Sequence, residues 1–121
     1  MSPADSTPVE DEEFAVRVQR DAQATVIAVH GEVDLMTAQQ FGAALEQAAR
    51  ERPDVFVVDL TGLTFLGSLG LSHLVAANAA NGPGVMRVVA TGGPRRAIDV
   101  TGLNTIFDVV GTVDEALGAH R

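Results

Sequence analysis

A serine placed directly before an apolar helix pattern is the feature of this sequence best suited to regulated chemistry. Ser68 follows the β-branched run VFVVDL, a short Thr/Gly segment, and precedes Leu71, Leu74 and Val75 at helical spacing. The run is typical of a buried strand, so Ser68 is expected at a helix N-terminus as the capping residue, worth about 1 kcal/mol over alanine. A phosphate added there would lie in the favourable field of the helix end. A structural cap and a site of reversible phosphorylation are therefore the two hypotheses for Ser68.

Asp34 is the second candidate, in the segment GEVDLMT between a predicted strand and the first predicted helix. Thr37 and Gln40 have the spacing of a capping box, and Met36 and Phe41 that of a hydrophobic staple. Because Thr37 would then cap the helix, Asp34 is predicted to be exposed and available to a basic partner. Its replacement by alanine would weaken binding with little loss of stability. The alternative is a solvated turn aspartate.

Patterns typical of enzymes are missing from the sequence. A nucleophile elbow requires glycine two residues before the serine, where this chain has Leu66. His30, His73 and His120 lie in no recognisable catalytic pattern and are interpreted as ordinary strand, helix and tail residues. The sequence has no dinucleotide-binding or P-loop motif, and its His, Asp and Glu residues lack metal-ligand spacing. We therefore expect a non-enzymatic protein without a metal or cofactor.

Length and composition indicate one domain with an acidic N-terminal tail. The chain has 121 residues, 46% of them hydrophobic, and no cysteine. Residues 1–13 contain five acids and no base, so they are predicted to be a disordered tail preceding a domain at 14–121. The sequence has neither a basic stripe nor tyrosine or tryptophan, which argues against nucleic-acid binding. Without a membrane-length apolar run or a signal-peptide pattern, the expected location is the cytoplasm.

Strand and helix patterns alternate along the chain. Strands are predicted at 14–20, 25–31, 55–60, 85–90 and 107–111. Helices are predicted after Thr37, from Ser68 to Asn81, from Pro94 to Gly102, and after a capping box formed by Thr112 and Glu115. This alternation predicts an α/β domain with a mixed, mainly parallel sheet, an antiparallel first strand and about four helices.

Three stretches carry a family resemblance: GEVDLMTAQQF, VVDLTGLTFLGSLGLSHL and PRRAIDVTGLNTIFDVV. In this order and spacing they resemble the STAS domain, specifically that of bacterial anti-sigma-factor antagonists, over about residues 14–117. The resemblance implies a STAS-like fold. The sequence departs from the usual family pattern at Gly67, where an aspartate is common, and at Leu69, where a small residue is common.

The resemblance also implies a function. In that family the serine matching Ser68 is phosphorylated by the partner, an anti-sigma factor that is itself a GHKL-type serine kinase. The unphosphorylated antagonist captures this partner and releases the sigma factor. The implied partner-binding residues are Asp34, Gly67, Ser68, Leu69, Gly70 and Leu71. The alternative is a STAS subunit of a lipid or anion transport system without a phosphorylation cycle, and the oligomeric state stays open between monomer and dimer.

Overall fold

The computed structural model describes residues 13–21 and 24–118. Its strands are β1 Ala15–Arg20, β2 Ala24–Val33, β3 Val55–Leu66, β4 Val85–Val89 and β5 Asp108–Val110. Its helices are α1 Ala38–Arg50, α2 Ser68–Ala80, α3 Gly92–Val100 and α4 Val113–Gly118, with a short 3-10 helix at Leu103–Thr105. The predicted alternation of elements is confirmed. The predicted acidic tail lies outside the described residues except for Glu13, so its disorder stays a prediction, and His120 also lies outside them.

The five strands form one sheet in the order β1-β2-β3-β4-β5. β1 pairs with β2 antiparallel, and the other three pairings are parallel. The predicted mixed sheet with an antiparallel first strand is therefore confirmed. In the parallel part, the carboxyl ends of β2, β3 and β4 meet at one edge, here called the carboxyl edge. This is the edge at which ligand and partner sites of open α/β sheets gather.

The core lies on both faces of the sheet. On one face, Phe56 and Val58 of β3 belong to a large buried cluster with Phe41 and Leu45 of α1 and Leu74 of α2. On the other face, the alternate strand residues pack with α4 in a smaller cluster that contains Ala24, Val55, Val57, Val89 and Ala116. The pattern VFVVDL is continuous because β3 is covered on both faces. This packing fixes the strand ends from which the candidate site is built.

β3 is longer than predicted, because the segment expected to be a Thr/Gly loop continues the strand to Leu66. Its pairing with β2 shifts register between Ala28 and His30 and again between Gly31 and Glu32, and each shift adds one residue on β3. Such bulges break the alternation of a strand and re-aim its side chains. The buried residues after the first shift are consequently spaced by three, at Leu60, Leu63 and Leu66.

Several predicted helix boundaries are confirmed. α2 stops at Ala80 and is followed by Gly82 at φ +71°, and α3 has Pro94 in its first turn and Gly102 at φ +78° beyond its end. The capping box before α4 is also present. Thr112 Oγ1 accepts the N–H of Glu115 at 3.1 Å, and Glu115 Oε1 accepts the N–H of Thr112 at 3.1 Å.

Candidate functional site

Ser68 is the first residue of α2, not its cap. The capping position belongs to Gly67, whose backbone is extended (φ −85°, ψ 178°) and whose carbonyl accepts the first helical hydrogen bond, from the N–H of Leu71 at 3.1 Å. Glycine has no side chain with which to cap, so the predicted capping role of Ser68 is wrong. The side chain of Ser68 is exposed at the positive end of the α2 dipole. Phosphorylation of Ser68 stays a prediction.

Asp34, and not Thr37, organises the start of α1. Asp34 Oδ1 accepts the N–H groups of Met36 at 2.9 Å and Thr37 at 3.2 Å. Thr37 Oγ1 in turn accepts the N–H of Asp34 at 3.0 Å and donates to the carbonyl of Glu32 at 2.6 Å. Thr37 makes no side-chain capping bond to the helix, so the predicted Thr37–Gln40 capping box is wrong. The reciprocal pair is Asp34 and Thr37, because the carboxylate suits the free N–H groups of the turn.

Asp34 therefore does not fit the prediction of an exposed acid left over at the turn. Its side chain is half-buried, and one carboxylate oxygen is committed to the turn. The predicted staple is wrong as well, because Met36 is 88% exposed and does not lie on Phe41. Phe41 packs instead in the core, where its ring meets Phe14 edge-to-face with centroids 6.5 Å apart.

The sheet brings Asp34 and Ser68 to the same edge, as their places in the sequence suggested. Val33, the last residue of β2, pairs with Leu66, the last residue of β3. The N–H of Gly67 donates to the carbonyl of Val33 at 2.9 Å and extends this pairing beyond the strands. The turn that contains Asp34 and the first turn of α2 thus leave the carboxyl edge side by side.

The predicted partner-binding set divides into surface and core. Ser68 is exposed, Leu69 is 46% exposed, and Gly67 is half-buried, whereas Gly70 and Leu71 are buried. A Cβ at position 70 would lie 2.6 Å from Leu66 Cδ1 and 2.7 Å from Val33 Cγ1, so glycine lets α2 approach the strand ends. Gly70 and Leu71 hold the helix in place, and their side-chain positions face the core.

Four exposed apolar side chains lie at the carboxyl edge, on the turn after β2, the end of β3 and the first turn of α2. Leu35 is 84% exposed, Met36 88%, Phe65 50% and Leu69 46%. These four residues are here called the carboxyl-edge patch. Sequence reasoning missed three of them as surface residues, because Met36 was placed in a staple, Phe65 in a loop, and Leu35 received no role. A large contiguous patch of exposed apolar side chains, rimmed by polar residues, marks an interaction site in many proteins.

The first turns of α2 and α3 suit an added anion, although Asp34 lies at the same edge. Neither α2 nor α3 carries an acidic residue in its first turn, and both helices begin at the carboxyl edge, where their N–H groups and dipoles favour negative charge.

Residues 13–21 and 24–118 contain no group of three or more His, Cys, Asp or Glu side chains placed to hold a metal ion. Among the helices of this same part of the chain, none is long and apolar enough to cross a membrane.

Comparison with known proteins identifies the family. A family profile described as "Mlab, STAS domain" matches residues 16–111. The anti-sigma-F factor antagonist RsfB of Mycobacterium tuberculosis is 37% identical over 98 residues, which is 79% of this chain and 80% of the relative. The chain therefore belongs to the STAS domain family, and within it to the bacterial anti-sigma-factor antagonists, which are regulatory binding proteins.

Solved structures agree with this assignment. The crystal structure of an anti-sigma factor antagonist from Mycobacterium paratuberculosis matches with a TM-score of 0.84 at 35% identity, over 94% of this chain and 97% of the other. The unphosphorylated form of the anti-sigma factor antagonist SpoIIAA matches with a TM-score of 0.70 at 19% identity, over 88% and 96% of the two chains, and shares the fold. The predicted family resemblance is confirmed.

Proposed function

We propose that this chain is an anti-sigma-factor antagonist that binds an anti-sigma factor through the carboxyl edge and is released when Ser68 is phosphorylated. The observation that carries the proposal is the exposed hydroxyl of Ser68 at the start of α2, next to the exposed Leu69. RsfB, a relative at 37% identity, is an antagonist of an anti-sigma-F factor. Capture of the anti-sigma factor frees the sigma factor that it holds.

The carboxyl-edge patch supplies the affinity in this proposal. Burying apolar surface is worth roughly 25 cal/mol per Å², so four large side chains removed from water contribute several kcal/mol before the costs of association. The turn held by Asp34 and Thr37 fixes the backbone from which Leu35 and Met36 project. Asp34 acts in binding mainly by holding this turn, and its carboxylate adds a negative charge beside the patch.

A phosphate on Ser68 acts on the complex more than on the fold. It adds a charge of about −1.5 to −2, which the N-terminus of α2 accommodates in the free protein. In the complex the same phosphate would have to be desolvated among apolar side chains such as Leu69. The free, phosphorylated protein is therefore favoured over the complex, and removal of the phosphate restores binding.

The partner is proposed to be the kinase, an anti-sigma factor of the GHKL-type serine kinase class. A kinase that docks on the carboxyl-edge patch would have Ser68 inside its interface with this protein. Phosphorylation of Ser68 would then dissociate the complex in which it took place. Ser72 lies one turn further along α2, is also exposed, and donates its hydroxyl to the carbonyl of Ser68 at 3.2 Å. Ser72 therefore provides a matched control, because it tests whether the position of the hydroxyl that receives the phosphate matters.

The test uses the anti-sigma-F factor of Mycobacterium tuberculosis as the probe. Titration calorimetry without ATP is expected to show binding, and incubation with ATP is expected to place phosphate on Ser68 and abolish it. Ser68→Ala should bind whether or not ATP is present, whereas Ser72→Ala should behave like the wild-type protein. Absence of binding by the unmodified protein, or equal affinity of wild type and Ser68→Asp with no phosphate on Ser68, would refute the proposal.

The alternative from the sequence, a STAS subunit of a lipid or anion transport system, has less support. The curated relative and the Mycobacterium paratuberculosis structure, both at 35% identity or more, are antagonists of anti-sigma factors. An exposed serine on α2 beside apolar side chains is also what a phosphorylation-controlled interface requires, and a transport subunit without that cycle has no use for it.

A further inference from the structure

The ring of Phe65 lies over Gly67, the residue that precedes Ser68. A Cβ built on Gly67 would be 3.2 Å from Phe65 Cε2 and 3.6 Å from Phe65 Cζ. Ordinary carbon–carbon contacts are about 3.5–4.0 Å, so a Cβ at position 67 would crowd the ring, which would have to shift by a few tenths of an ångström. The same Cβ would lie 3.4 Å from the carbonyl oxygen of Val33. The register shift between Gly31 and Glu32 pairs Phe65 with Glu32 and puts Leu66, not Phe65, into the core.

The backbone does not require glycine at this position. Gly67 is extended at φ −85° and ψ 178°, a conformation open to every residue. It is also the capping position of α2, where asparagine, aspartate and serine stabilise a helix better than alanine does. A residue that would improve the helix is thus absent at a place where its Cβ would crowd the ring of Phe65.

We infer that Phe65 is a specificity-determining residue of the Ser68 surface, and that Gly67 is glycine so that the aromatic ring can lie beside the phosphorylation site. The inference rests on the proposed function, because it names what the anti-sigma factor recognises there. Phe65 is half-exposed, so part of its ring is open to a partner. Large aromatic side chains held in this way are frequent hot spots of protein interfaces.

The partner surface implied by this arrangement is apolar. It has a pocket for an aromatic ring next to the groups that receive Ser68, and no basic group aimed at position 67. Since ionic contacts weaken with salt and apolar contacts do not, the affinity should change little between about 50 and 500 mM NaCl. If the partner instead recognised a charged group beside Ser68, its affinity would fall steeply with increasing salt.

The test is a double-mutant cycle on the full chain, again with the anti-sigma-F factor of Mycobacterium tuberculosis without ATP. Phe65→Ala is expected to weaken binding about tenfold or more. Gly67→Asn introduces an uncharged capping side chain that crowds the ring, so it should weaken binding in the wild-type background and have little effect in Phe65→Ala. Ile106→Ala is the matched control, because Ile106 is 47% exposed and lies at the opposite edge of the sheet, before β5. It should change the affinity less than about twofold.

Thermal unfolding separates recognition from folding. Phe65→Ala and Ile106→Ala should have melting temperatures within about 3 °C of the wild type, and Gly67→Asn should not melt lower. The inference is refuted if the wild type binds and Phe65→Ala binds within twofold of it, or if Phe65→Ala and Gly67→Asn are additive. Failure of the wild type to bind at all would instead refute the proposed function and the inference with it.

Discussion

Asp34 and Thr37 hydrogen-bond to each other's backbone across the turn between β2 and α1. Asp34 Oδ1 accepts the N–H of Thr37 at 3.2 Å, and Thr37 Oγ1 accepts the N–H of Asp34 at 3.0 Å. The pair therefore has the reciprocity of a capping box, three residues before the box predicted from the sequence. Asp34, which was predicted to be exposed and available to a partner, therefore stabilises the turn that contains Leu35 and Met36.

Asp34→Ala is expected to lower the free energy of unfolding by about 1 kcal/mol, because the N–H groups of Met36 and Thr37 lose their acceptor. This replaces the expectation of little stability loss. Asp34→Asn keeps a carbonyl oxygen in the same place and should cost only a few tenths of a kcal/mol. Urea denaturation measures both variants. If Asp34→Ala and Asp34→Asn are equally stable, the hydrogen bonds accepted by the side chain at position 34 contribute nothing to the free energy of unfolding. Any difference from the wild type would then come from the charge of Asp34.

Ser68→Ala is expected to unfold at the same urea concentration as the wild type, within about 0.5 kcal/mol, because Ser68 is a helical residue and alanine has the higher helix propensity. Ser68→Asp should be equal or more stable by about 0.3–1 kcal/mol, since an acid in the first turn suits the helix dipole. A loss of about 1 kcal/mol in Ser68→Ala would restore the original interpretation of Ser68 as the cap.

Gly70→Ala is expected to destabilise the protein by about 1–3 kcal/mol, because its Cβ would overlap Leu66 and Val33 where α2 meets the strand ends. Gly93→Ala is the matched control. Gly93 lies in the first turn of α3 with no atom within 4 Å of the added Cβ, so this change should be neutral or stabilising. Differential scanning calorimetry measures the melting temperatures of Gly70→Ala and Gly93→Ala. Equal melting temperatures would contradict the close approach of Gly70 to the ends of β2 and β3.

Removal of residues 1–10 is expected to leave folding and partner binding unchanged, because the segment is acidic and has few large apolar residues to bury. The structure sharpens where the shortened chain must begin. Glu13 and Phe14 have to stay, since the backbone of both lies against Gly31 and the ring of Phe14 packs on Phe41. A large drop in melting temperature for the chain that starts at Asp11 would show that the acidic segment docks on the domain.

The regular part of the fold was predictable because its signals are local. Apolar patterns located the strands, β3 only as far as Leu60, and the first two helices. Pro94 and Gly102 marked α3, and Thr112 with Glu115 marked the start of α4. The shared edge of Asp34 and Ser68 also followed, because both residues come directly after parallel strands. These features depend on residues close together in the sequence or on the order of the elements.

The details of the site were not predictable from local patterns. Thr37 and Asp34 both have the chemistry of a cap, and only the hydrogen bond from Thr37 to the carbonyl of Glu32 decides between them. The same holds for Phe65. The continuous apolar run of β3 stops at Leu60, so the following residues resemble a loop until the pairing with β2 is known.

Because of the two register shifts, the number of residues in β3 determines which of its side chains face the core, independently of which residue types they are. With them, Leu60, Leu63 and Leu66 all face the core, and Phe65 lies outside it beside Ser68. A substitution at Thr61 or Thr64 changes one exposed side chain and the hydrogen bond of its hydroxyl, to Asp59 Oδ1 or to the carbonyl of Gly31 respectively. A single-residue deletion between them would turn every later residue of the strand to the other face and would carry the start of α2 with it. Such a chain is expected to tolerate substitutions at Thr61 and Thr64 far better than a change in the number of residues between Leu60 and Leu66.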